Sequence, residues 1–101
     1  MGRIEIKEKI IGSVRYPKDT VMFLNNCHIQ GNLIAAKVIA LKSLTVKRSM
    51  DIDGDVTVSG DLQVIKGPLL TKGNIRCNGD IKTGGKLETD NGDILARNIE
   101  A

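Results

Sequence analysis

The 101-residue sequence predicts an all-β chain: a right-handed, three-sided parallel β-helix (a β-solenoid) of about five turns, with roughly 19 residues in each. Three observations lead there. Glycines recur at a fixed long interval, apolar residues fall into columns when those intervals are overlaid, and no segment carries the 3.6-residue apolar stripe of a packed helix. Residues 1–11 read as an N-terminal capping or edge strand and residues 12–101 as the solenoid.

Glycine, then a small or polar residue, then an aliphatic one occurs at Gly12-Ser13-Val14, Gly31-Asn32-Leu33, Gly54-Asp55-Val56, Gly73-Asn74-Ile75 and Gly92-Asp93-Ile94. The steps between these glycines are 19, 23, 19 and 19 residues. A second series, Gly60-Asp61-Leu62 and Gly79-Asp80-Ile81, starts six residues after two of them and is again 19 apart. Overlaying the segments puts Val14, Leu33, Val56, Ile75 and Ile94 in one column, with Tyr16, Ala35, Val58, Cys77 and Ala96 two residues further on. Two apolar columns at that separation are the inward positions of a strand, and Arg15, Ile34, Thr57, Arg76 and Leu95 between them face outward.

An antiparallel meander also repeats short alternating strands, but nothing in it keeps like residues in register over a long period. A coil does, because each column is a stack of side chains about 4.8 Å apart. A left-handed hexapeptide helix needs multiples of six, which the 6-then-13 glycine spacing does not give.

Corners are the next element. The glycines mark places where φ is positive or stacked backbone approaches closely. Tyr16-Pro17-Lys18-Asp19 and Lys66-Gly67-Pro68 read as further corners, since proline inside a stacked strand deletes a ladder hydrogen bond. Gly84-Gly85-Lys86 lacks the upstream glycine and following Ser/Thr of a phosphate loop and also reads as a corner. The 23-residue step predicts one long turn, bulging at Lys47-Arg48-Ser49.

Composition narrows the function classes. Tyr16 and Phe23 are the only aromatics, which weighs against base stacking and sugar binding. Residues 1–50 hold nine Lys/Arg against three Asp/Glu, and residues 51–101 six against nine, so the halves carry +6 and −3. The cations are interleaved with apolar residues and form no run, so no nucleic-acid partner is expected. Cys27 and Cys77 have no CxxC or Cys/His spacing and read as reduced core thiols. No apolar run is long enough for a membrane span and the first residues show no signal-peptide core, so the expected location is cytoplasmic, a virion part being the alternative.

Candidate chemistry is sparse. Asp51-Ile52-Asp53-Gly54-Asp55 resembles the start of a calcium loop, but the twelfth position is Leu62 where a bidentate acid is required. It reads instead as an outward carboxylate row, with Ile52, Val56 and Val58 inward and Lys72 lying over Asp53. Asp55, Asn74 and Asp93 follow corner glycines and read as turn caps. Asp61 over Asp80 is a like-charge contact with no partner evident in the sequence. Neighbouring strand residues point to opposite faces, so Cys27 goes inward, His28 outward, and the two form no nucleophile pair. No cofactor, metal, small-molecule substrate or enzymatic activity is expected.

The pattern Gly-[Asp/Asn]-[Ile/Leu]-x-Ala-x-x-[Val/Ile], at Gly31 to Val38 and Gly92 to Ile99, resembles the bactofilins, polymer-forming cytoskeletal proteins of bacteria, over about residues 12–101. The resemblance implies a right-handed triangular β-helix whose copies join end to end, through non-polar, like-end contacts, into filaments without nucleotide. The basic first half and acidic second half instead favour head-to-tail contact. The last repeat reaches Ala101 after ten residues, so the expected solenoid end exposes unpaired backbone and apolar columns. Self-association is therefore expected through Ile4 and Ile6 at one end and Ile94, Ala96 and Ile99 at the other. The alternative is a trimeric tail-fibre or spike segment, with Ile34, Leu70 and Leu95 buried between lateral faces.

Overall fold

Runs of three residues that read apolar, polar, apolar are too short for anything but brief strands, and the corners between them leave room for little else. The computed structural model describes residues 3–100, and among these it contains strands and no helix. In chain order they are β1 (Arg3–Ile6), β2 (Ile10–Ile11), β3 (Val14–Phe23), β4 (Cys27–Ile29) and β5 (Leu33–Ala40). There follow β6 (Leu44–Val46), β7 (Met50–Ile52), β8 (Val56–Val58), β9 (Leu62–Val64) and β10 (Leu69–Thr71). The last are β11 (Ile75–Cys77), β12 (Asp80–Thr83), β13 (Leu87–Thr89), β14 (Ile94–Leu95) and β15 (Asn98–Glu100).

Every pairing is parallel, and the pairings sort the strands onto three sides of a coil. Side one stacks the first parts of β3 and β5, then β7, β10 and β13. Side two stacks β1, the last parts of β3 and β5, then β8, β11 and β14. Side three stacks β2, β4, β6, β9, β12 and β15. Successive partners on side three, Cys27, Leu44, Leu62, Ile81 and Ile99, are separated by 17, 18, 19 and 18 residues, so a turn is nearer 18 than 19.

Three sequence expectations are corrected by this register. Leu33 stacks on Met50, and Val56 stacks on Val38, so the column joining Leu33 to Val56 crosses from side one to side two. The 23-residue step is one short turn of 17 plus one side of six, and Lys47-Arg48-Ser49 is an ordinary corner with no bulge. The inward residues Leu44, Met50, Val56 and Leu62 follow one another at six-residue steps, which removes the ground on which a hexapeptide period is set aside. The 13-residue glycine interval hides that step, because it spans two sides and the corner at Gly67 or Gly85 between them.

The irregularity lies elsewhere. β5 runs through the first corner without glycine, and β3 above it carries Pro17, Lys18 and Asp19 opposite Ala36 alone, a bulge that lets proline avoid the ladder. No glycine among the described residues has positive φ. What the corners need is close approach: a Cβ on Gly84 would run into the carbonyl oxygen of Ile65, and one on Gly92 into that of Gly73.

The core is one continuous stack of Ile, Val, Leu, Met, Ala and Cys side chains, with Phe23 as its largest member. Ala35, Val58 and Cys77 are buried and Thr57 and Arg76 exposed, so the inward/outward phase read from the sequence holds. Tyr16 departs from it. It is 38 % exposed, because among the described residues no strand covers side one beyond β3.

Candidate interaction surfaces

Among the described residues, β1 and β2 pair on one edge only, as do β13, β14 and β15. Backbone groups alternate along a strand, which identifies those left facing outward at each end. The Ile6 carbonyl accepts from Leu24 N–H at 2.9 Å, so Ile4 and Ile6 address β3 and the backbone of Arg3 and Glu5 faces the free edge. At the far end the Val64 carbonyl accepts from Gly84 N–H at 2.9 Å, so Ile81 of β12 addresses Asn98 and Glu100 of β15 and the backbone of Ile99 is left on the free edge. The side chains named from the sequence divide between these ends. Ile6 is buried, Ile4, Ile94 and Ala96 are half-buried against the core, and Ile99 is 47 % exposed. A hollow of about 440 Å³ at the N-terminal end is lined by Ile4, Ile6, Ile11, Val14 and Tyr16 among others.

The corners carry a second ordered feature. Asp55 Oδ1 accepts the N–H of Asn74 at 2.8 Å, and Asn74 Oδ1 accepts that of Asp93 at 2.8 Å. On the next corner Asn26 Oδ1 accepts Ser43 N–H at 3.0 Å, Ser43 Oγ accepts Asp61 N–H at 3.1 Å, and Asp61 Oδ1 accepts Asp80 N–H at 2.9 Å. On the third, Ser13 Oγ accepts Asn32 N–H at 3.3 Å and Asn32 Oδ1 accepts Ser49 N–H at 3.2 Å. Contrary to the turn-cap expectation, these side chains do not cap their own turns. They bind the turn that follows, always in the same direction, and the third ladder stops where Pro68 has no N–H to offer.

Asp61 and Asp80 are therefore a ladder step. Asp80 in turn receives Arg97 Nε at 3.2 Å and Asn98 Nδ2 at 3.1 Å, and these two donors hold its carboxyl below the usual carboxylate range. Arg97 is the compensating partner that the sequence did not reveal. Lys72 Nζ lies 3.4 Å from Asp53 Oδ1, the pairing expected of a carboxylate row facing outward. Cys27 is buried and His28 half-buried beside it in β4, on opposite faces. Burial pushes both the Cys27 and Cys77 thiols up, and the Cys77 Sγ–H reaches the Gly60 carbonyl at 3.1 Å.

The outward rows do not form one lateral face. Ile34 and Leu70 stand on side one in the row Ile34, Asp51, Leu70, Glu88, whereas Leu95 stands on side two below Arg76. The expected pairing of Ile34 with Leu95 in one lateral contact therefore fails, for the same one-side slip that misaligned the columns. Among the described residues no helix is long and apolar enough to cross a membrane. Comparison with protein-family models, with curated proteins and with solved structures finds no match.

Proposed function

We propose that this chain is a structural scaffold that self-associates through the ends of its coil, building oligomers or filaments without nucleotide. One observation carries the reading: among the described residues, the strand edges at both ends of the coil have no partner strand and are flanked by half-buried aliphatics packed against the core columns. Stacking a second coil on either edge would satisfy backbone groups and cover apolar side chains in the same step. The resemblance to bactofilins points the same way.

Burial of stacked aliphatics dominates the association at about 25 cal/mol per Å² of apolar surface, while each surface charge pair adds at most about 1 kcal/mol. Assembly then survives moderate salt. Negative-stain microscopy with light scattering tests the reading: filaments or end-joined particles are expected, and a monomer across the micromolar range overturns it. A discrete trimer with lateral contacts would favour the spike reading instead.

A further inference from the structure

Resting on that reading, we infer the polarity of the contact: the partner is a second copy of this chain, and copies join head to tail, with the edges of β13, β14 and β15 receiving the N-terminal edge of the next coil.

Three features support one direction over the other. Chain order runs along the coil axis, so the charge asymmetry of the sequence becomes an axial one. The first coil segment, residues 3–19, holds five cations, Arg3, Lys7, Lys9, Arg15 and Lys18, against Glu5, Glu8 and Asp19. The last, residues 86–100, holds Lys86 and Arg97 against Glu88, Asp90, Asp93 and Glu100. Head-to-tail contact sets these unlike ends together, and like-end contact sets positive on positive or negative on negative.

The corner ladders are directional as well. Each side-chain oxygen accepts the backbone N–H of the following turn, and Asp93, the last step of its ladder, accepts none among the described residues. A coil arriving N-terminal end first presents backbone N–H groups in that direction, whereas a second C-terminal end presents another acceptor ladder. Strand geometry agrees. All pairings in the molecule are parallel, and a two-fold contact between like ends forces antiparallel pairing at the joint, while head-to-tail stacking keeps the parallel ladder.

The test blocks one end at a time. Glu5→Pro places a ring on the free edge of β1 without deleting a bond to β3, and Ile99→Lys places a charge at the exposed C-terminal end. Each variant is checked by circular dichroism for the fold, and Arg3→Pro, on the same free edge, replaces Glu5→Pro should that strand fail to form. Particle mass is then measured for the parent, each variant alone and their equimolar mixture. Head-to-tail polarity predicts an associated parent, two monomeric variants, and a doubling of mass to a one-to-one pair on mixing. An associated parent whose variants each form dimers alone overturns the polarity but leaves self-association standing. A monomeric parent overturns both.

Discussion

Arg97 Nε lies 3.2 Å from Oδ1 of Asp80, one turn earlier in the coil, and Asn98 Nδ2 binds the same oxygen at 3.1 Å. The pair ties the last turn to the one before it. Because both donors favour the ionised carboxylate, the folded pKa lies below the ordinary 3.8, Arg97 being the larger cause. Their stabilisation is complete above the unfolded value and lost as pH falls through the folded one. Amide exchange in β15 is expected to accelerate below about pH 4 more than exchange in β9. Arg97→Ala should flatten that pH dependence, and an unchanged profile would remove the tether from the account.

The core phase is tested by neighbours. Val58 is 1 % exposed in the inward stack and Thr57 beside it faces solvent. Val58→Asp buries an unpaired charge and is expected to cost at least about 3 kcal/mol or abolish folding, whereas Thr57→Asp should stay within about 0.5 kcal/mol. Urea melts of the two variants decide it; equal losses would mean that the phase is wrong.

Close approach at the corners separates glycines that look alike in the sequence. A Cβ at Gly84 meets the Ile65 carbonyl, which is backbone and cannot swing aside, but one at Gly12 meets nothing within 4 Å. With no positive φ at either, strain cannot account for a difference. Gly84→Ala should lower the melting temperature by several degrees and Gly12→Ala should leave it unchanged or slightly raised.

The thiols offer a probe of opening. Cys27 and Cys77 are each 4 % exposed, and burial disfavours their thiolates. Neither is expected to react with an aromatic disulfide reagent at pH 8 in the folded chain, and both should in urea. Reaction in native buffer at the rate of a free cysteine would show that the coil opens readily.

The sequence made the coil legible but not its sides. Stacking forces like residues into register, so Val56, Ile75 and Ile94 announce one column correctly, as do Asp61 and Asp80 in theirs. All three sides share the same inward, outward, inward pattern at nearly the same length, so nothing in the residues distinguishes a slip of one whole side. An overlay of the sequence sets Leu33 over Val56 and Ile34 in the row of Leu95 for that reason, whereas Leu33 stacks on Met50 and Val56 on Val38. Arg97 does not stand out in the sequence because its target sits 17 residues away, short of the period the glycines advertise.

Parallel stacking of near-equivalent turns makes length a free variable of this fold. Leu33, Met50 and Leu69 occupy one column, so excising residues 50–68 would set Leu69 directly beneath Leu33 with every remaining side chain facing as before. Such a molecule is a ruler graduated in steps of about 4.8 Å, whose reach can change by whole turns while both end surfaces stay the same.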